Sequence, residues 1–422
     1  MAFQTAESIR SSFARQSKQH RKALKHPLLA RRIQFKKSTL TQFRSSESST
    51  TTRSSEPTIE ESDQPPPPPV PPQNRLFPPS ALSFEWDSIF PIGPGLNNLG
   101  NTCFLNSVLQ CLTYTAPLAN YLMTGHHMKT CKNTAFCLLC ILENHIQTCF
   151  GGKPKSVVSP NAIVKRLKSV AKHMRVGRQE DAHEFLRYFI DGIQKSSLLD
   201  NRLKETTLVY QIFGGHILSQ VECLSCHYKS NTYDLILDLS LEIKHCDTLE
   251  KAFSHYSKPE RLYKSNQYKC ARCKKYVDAQ KRLTIHDPPP VLTVQLKRFD
   301  FLRSGMKINK PIAFDEYLDL KPYMTVGQST PSRYELYAVL VHAGGSCNSG
   351  HYYSFVRSSA NTWYSMNDSE VRQVSVGTVL KQSAYILFYR LIQSPSNTKK
   401  EVRAWLGCER YAIWPGIRRD CN

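Results

Sequence analysis

Apolar residues in the first half of the folded region follow a helical period. Leu105, Val108, Leu109 and Leu112 fall at i, i+3, i+4 and i+7, and Ala182, Phe185, Leu186, Phe189, Ile190 and Ile193 repeat that spacing. Each set therefore shares one face of a helix. Further helices are expected near residues 134–149, 160–173 and 248–256. Beyond about residue 208 the period shortens toward two, and residues 217–223, 233–241, 291–298, 336–342, 351–356 and 385–391 read as strands. Helices first and strands later predict an α+β fold, not the alternating units of a parallel sheet.

Before Trp86 this patterning is missing, and residues 1–88 read as disordered. A basic arm gives way to a Ser/Thr/Glu stretch from Ser38 to Asp63, then to the proline run that begins at Pro65, which favours polyproline II. The chain has 422 residues and a net charge of +22, but the first 45 hold eleven Lys or Arg against Glu7 alone, so an arm carries +10 of it. A nucleic-acid contact read from charge would belong to that arm only. The arm's composition equally suits an organelle transit peptide, a nuclear-localising segment or a solvated tail. No run of 18 apolar residues and no secretory h-region occurs, so the expectation is a monomeric intracellular protein of the nucleus or cytoplasm, with no membrane partner. In a reducing compartment, fourteen cysteines point to metal ligands, a nucleophile and buried thiols rather than disulfides.

Gly95-Leu96-Asn97-Asn98-Leu99-Gly100-Asn101-Thr102-Cys103 has the outline of a phosphate-binding loop but carries Asn101 where the phosphate-contacting lysine belongs. What remains is a tight turn that delivers Cys103 to the first turn of a helix. There the free N–H groups and the helix dipole favour a thiolate; a small buried hydrophobe is the other reading of the same residue. A base is available at His351, which follows the small-residue run from Gly344 to Gly350 at the start of a strand. Asn367 and Asp368 lie sixteen and seventeen residues further on, a suitable distance for an adjacent antiparallel strand. Thiol, imidazole and an amide or carboxylate in that order are the parts of a thiol protease.

These segments resemble the ubiquitin-specific proteases. Residues 95–107 are similar to the family's cysteine box. Gly350-His351-Tyr352-Tyr353 with Trp363 to Asp368 is similar to its histidine box. Arg178 to Phe185 is similar to its glutamine–aspartate box, and Val294 to Phe299 to its LKRF strand. The resemblance spans about residues 94–392 and implies a papain-like α+β catalytic domain with fingers, palm and thumb subdomains. The fingers would occupy about residues 208–290, and residues 393–422 are left as an unassigned tail.

The activity implied is hydrolysis of the bond after the C-terminal glycine of ubiquitin, with ubiquitin and ubiquitinated proteins as partners. Cys103 would be the nucleophile, His351 the general base and acid, and Asn367 the residue that orients the ring. Asn98 would stabilise the oxyanion, and Asp368 would assist there or substitute for Asn367. Asp181 would meet the arginine-bearing ubiquitin tail, and Gln179 and Tyr352 would also bind substrate; Asp181 reads as well as a helix cap, and the two roles can coexist. Two other functions stay open: a protease for another ubiquitin-like modifier, and an inactive scaffold that binds RNA or chromatin.

Cys223-Leu224-Ser225-Cys226 and Cys270-Ala271-Arg272-Cys273 are two CxxC pairs. Together they predict a closed Cys₄ zinc site. Such ribbons also bind nucleic acid, but the flanking boxes favour a fingers subdomain. His126, His127, Cys131, Cys137 and Cys140 form a looser second set, and Cys137 and Cys140 could equally be two thiols facing a core. His342, Lys297 and Arg298 read as strand residues without chemistry. Trp405, Cys408 and Trp414 in the tail fit no pattern.

Overall fold

The computed structural model describes residues 76–77, 82–133, 136–152, 155–198, 201–300, 306–327, 330–346 and 349–392. The basic arm, the proline run from Pro65 to Pro72, and Trp405, Cys408 and Trp414 lie outside the described residues.

Helices dominate the N-terminal half. Cys103–Thr113 is buried along its whole length, and Pro117 then sits in the first turn of the next helix, Ala116–Met123, where its missing N–H costs nothing. Leu138–Phe150 and Ala182–Ser197 follow, the latter capped by Asp181, whose side chain accepts the Glu184 N–H. Its predicted stripe from Ala182 to Ile193 is the buried face. The helix expected over 160–173 is instead two short ones, Asn161–Val164 and Leu167–Val170. Among the described residues no helix is long and apolar enough to cross a membrane.

The C-terminal half builds the main sheet. Its strands run in the order Glu370–Val374, Trp363–Asn367, Ser349–Arg357, Arg333–Ser346, Ala384–Leu391, Val291–Leu296 and Leu239–Leu241, antiparallel except for the last pair. Alternate residues of Ala384–Leu391 feed two cores. Ile386 and Phe388 face the helices, while Leu387 and Tyr389 face the opposite layer. Burial on both faces explains why this strand reads as a nearly continuous apolar run.

A second sheet has the order Lys229–Ile236, Gly215–Cys223, Ala279–Asp287 and Glu260–Leu262. The single strand expected over 233–241 is thus divided. Its first part pairs in this smaller sheet, and Leu239–Leu241 crosses to pair in parallel with Val294–Leu296. The interruption falls at Leu237 and Asp238 because one strand cannot follow both sheets.

Two sequence expectations need correction or refinement. Leu82 is buried in the helical core and Phe77, Phe84 and Trp86 pack against it, so ordered structure reaches into the segment read as disordered. These apolar residues are too sparse for a period, and only packing identifies them. Arg298, expected as a strand residue, lies between the strands that end at Leu296 and begin at Phe299; fully buried, it fastens the palm, its guanidinium donating to the carbonyls of Ala384, Ile308 and Lys310.

Candidate active site

The loop before Cys103 is held open by its own side chains. Asn98 Oδ1 accepts the N–H groups of Gly100 at 3.1 Å and Thr102 at 3.0 Å, and Thr102 Oγ1 accepts the Leu99 N–H. Gly100 and Asn101 take φ values of +98° and +54°, the left-handed region that glycine and asparagine tolerate. Asn101 donates to the Gly177 carbonyl, tying this turn to the loop before Asp181. The turn places Cys103 first in its helix, a residue only 3% exposed.

The Cys103–Thr113 helix packs against the Ser349–Arg357 strand, which carries His351. The main chain of Tyr352 lies within hydrogen-bond reach of the Cys103 sulfur. Burial pushes the Cys103 thiol up; the Tyr352 N–H pulls against this, and the charge of Asp368 reinforces it. The residue therefore rests as a thiol, although a helix start by itself favours the anion. His351 Nε2 lies 2.6 Å from Asn367 Oδ1 on the neighbouring strand. A carbonyl oxygen only accepts, so this contact puts the ring's proton on Nε2 and leaves Nδ1 as the basic nitrogen.

Asp368 joins the strand end to the cysteine loop. Its carboxylate accepts from Asn98 Nδ2 at 2.9 Å and from Asn106 Nδ2 at 2.8 Å, and its carbonyl accepts the Leu96 N–H at 2.7 Å. The backbone there has φ +48°. Gly95 permits the approach, since a Cβ on it would lie 2.3 Å from the Ser369 carbonyl oxygen. One N–H of the Asn98 amide is thus committed to Asp368.

The three substrate-binding candidates are internally bonded. Asp181 Oδ2 accepts from the Tyr385 hydroxyl at 2.7 Å and the Tyr352 hydroxyl at 3.4 Å, while Oδ1 caps the helix. Tyr352 is 3% exposed, and its hydroxyl props the Asp181 carboxylate. Gln179 grips the main chain before His351: its Nε2 donates to the Gly350 carbonyl and its Oε1 accepts the Gly350 N–H, both at 2.9 Å. Tyr385 and Asn106 were missed by the sequence reading. Asn106 stood in the cysteine box, one turn beyond Cys103. Tyr385 gives no local signal, being 204 residues from Asp181.

At the far end of the smaller sheet the two CxxC pairs meet. Cys223 Sγ is 3.8 Å from Cys273 Sγ and Cys226 Sγ is 3.7 Å from Cys270 Sγ, with all four sulfurs within 4.8 Å of one another. The two turns are alike. His227 and Lys274, each after a second cysteine, have φ values of +58° and +57° and donate N–H to the carbonyls of Cys223 and Cys270. The N–H groups of Cys226 and Cys273 point to the first sulfur of their own pair at 3.4 Å. A metal–sulfur bond of about 2.3 Å gives a tetrahedral edge of about 3.8 Å, which these separations match. The group can hold a metal ion.

A thiol at the start of a helix packed on the strand that carries an imidazole, beside a largely antiparallel sheet, is the architecture of a papain-like cysteine hydrolase. A family model described as ubiquitin carboxyl-terminal hydrolase matches residues 94–389. Ubiquitin carboxyl-terminal hydrolase 42 of Homo sapiens is 47% identical over 76% of this chain, and a probable ubiquitin carboxyl-terminal hydrolase 16 of Schizosaccharomyces pombe is 45% identical over 78%. The chain spans 24% of the length of the first and 74% of the second. Among solved structures, the SAGA Ubp8/Sgf11/Sus1/Sgf73 DUB module bound to ubiquitin aldehyde is similar with a TM-score of 0.64 and 33% identity, over 71% of this chain and 70% of that one. The chain belongs to the ubiquitin carboxyl-terminal hydrolase family, whose members are cysteine-type deubiquitinases.

Proposed function

We propose that this protein removes ubiquitin from conjugates by covalent catalysis at Cys103. The observation that carries the reading is the 2.6 Å contact that fixes His351 beside the helix bearing a buried, free Cys103. His351 Nδ1 takes the thiol proton as sulfur attacks the carbonyl of the C-terminal glycine. The resulting oxyanion meets the Cys103 N–H and the remaining N–H of the Asn98 amide. Collapse breaks the C–N bond, and the imidazolium gives its proton to the departing lysine amine, leaving a thioester. Water then attacks, losing a proton to His351, and the thiolate leaves with the carboxylate as product.

Asn367 holds the ring, and Asp368 holds Asn98 and Asn106 in place. Asp181, rigidified by Tyr385 and the helix cap, offers a fixed negative charge to a basic substrate tail. Zinc in the Cys223, Cys226, Cys270 and Cys273 group supplies a structural clip and takes no part in the chemistry; four thiolates and no open ligand suit that role. Competition among covalent probes built on ubiquitin and on other ubiquitin-like modifiers tests the substrate. Labelling of Cys103 by the ubiquitin probe at least tenfold faster than by any other supports the reading, and preferential labelling by another modifier overturns it.

Gln179 acts here as a positioning residue for His351 rather than a substrate contact. Two hydrogen bonds of about 0.5–1.5 kcal/mol each hold the strand start. Gln179→Ala is therefore expected to lower kcat on a ubiquitin C-terminal amide by roughly 10- to 100-fold with KM little changed. A raised KM at unchanged kcat would restore Gln179 to the substrate-binding set.

A further inference from the structure

A second group of metal-ligating side chains lies in the helical half of the molecule, apart from both the active site and the smaller sheet. The ligand atoms of His127, Cys131, Cys137 and Cys140 all lie within 4.8 Å of one another, and His127 Nε2 is 3.1 Å from Cys137 Sγ. We propose that these four residues form a second structural zinc site of the Cys₃His type.

Local geometry pairs the ligands before any tertiary contact is made. His127 lies in the short helix His126–Thr130 and Cys131 caps its end, so the two are four residues apart on one side of a turn. Cys137 is the N-cap of the Leu138–Phe150 helix and Cys140 falls in its first turn, three residues on. Neither Cys131 nor Cys140 is fully buried, so these thiols are not simply core filling. His126, the other imidazole of the sequence set, is turned away toward the ring of Tyr121. A tetrahedral site with Zn–N of about 2.0 Å and Zn–S of about 2.3 Å has N–S edges near 3.5 Å, so the His127–Cys137 pair opens by a few tenths of an ångström to admit the ion.

The surroundings support a clip. Glu143, one turn beyond Cys140 and buried, accepts the Met128 N–H at 2.6 Å and so anchors the turn that presents His127. On the other side, the Leu138 N–H donates to Ser196 Oγ, which joins the ligand-bearing helix end to the helix capped by Asp181. Zinc here would close the chain from His127 to Cys140 and brace that helix pair, as the first site braces the smaller sheet. The two sites are chemically distinct, with four thiolates in one and three thiolates and an imidazole in the other.

Zinc content of the full chain, purified without chelator and desalted, tests the proposal. The wild type is expected to carry about two zinc ions per chain, and Cys140→Ser and Cys226→Ser about one each. One zinc in the wild type, or two retained in Cys140→Ser, overturns it. Because Cys140→Ser could lose its fold and both ions with it, zinc X-ray absorption on the unaltered protein gives an independent readout. Seven sulfurs and one imidazole nitrogen shared between two ions support the second site; a pure four-sulfur shell without imidazole scattering, or a disulfide among Cys131, Cys137 and Cys140 found by mass, rules it out.

Discussion

Cys103→Ala is expected to abolish hydrolysis of a ubiquitin C-terminal fluorogenic amide, with kcat falling by on the order of 10⁴-fold or more, while ubiquitin affinity is retained. The loss is large because, in the proposed mechanism, the thiol is the bond-forming atom. Water at the same place lacks both its nucleophilicity and its position at the helix start. The truncation itself costs little fold stability, since Cys103 contributes one sulfur to a core that already includes Phe104, Leu105 and Val108. Unchanged melting with no turnover would therefore place the effect in the chemistry; undiminished turnover would sink the assignment.

The same residue makes a pH prediction with a definite sign. Burial holds the Cys103 thiol above its ordinary value. The protonated form therefore dominates at neutral pH, and the thiolate fraction rises only as pH climbs through the elevated value. Alkylation of Cys103 by iodoacetamide should accelerate steadily from neutral into alkaline pH and stay slower at neutrality than that of a free cysteine. A rate that is fast and flat through neutral pH would mean a resting thiolate–imidazolium pair instead.

The second large effect concerns the four-cysteine group. Cys226→Ser is expected to unfold the tip of the smaller sheet while the palm stays native. At the tip the buried apolar cluster consists of Cys223, Cys270 and Val277, two of them ligands themselves. So small a core cannot offset the entropy of ordering the two turns, whereas structural zinc in small domains contributes about 10–16 kcal/mol. The palm, by contrast, has a core on each face of its sheet. Hydrogen exchange should thus rise in the Cys223 and Ala279 ends of the paired strands and stay low in Ala384–Leu391. Equal protection of the tip in wild type and variant would show that the metal does not hold it.

Much of this site is legible along the chain because its parts are local. Asn98, Gly100 and Cys103 lie in one turn whose hydrogen bonds to Asn98 Oδ1 span at most four residues, and each CxxC turn closes on itself. The helical stripe from Ala182 to Ile193 is likewise a property of one segment. The roles of Gln179 and Tyr352 are not local. Gln179 meets Gly350 and Tyr352 meets Asp181 across 171 residues each, so a motif could nominate these residues but could not say what they touch. The second metal group lies between these extremes. Its pairs were readable at four- and three-residue spacing, while the approach of one pair to the other depends on how two helices pack.

What the sequence determined by itself is therefore the chemistry at each point: a thiol at a helix start, an imidazole at a strand start, and cysteines spaced to share a metal. These follow from backbone geometry over a few residues, which composition and spacing dictate directly. The tertiary structure decided the partners. Sheet register sets which residues face one another, and a slip of one position would turn Asn367 away from His351 and Tyr385 away from Asp181. Burial, too, exists only after packing, and it is burial that raises the Cys103 thiol against the preference of its helix start.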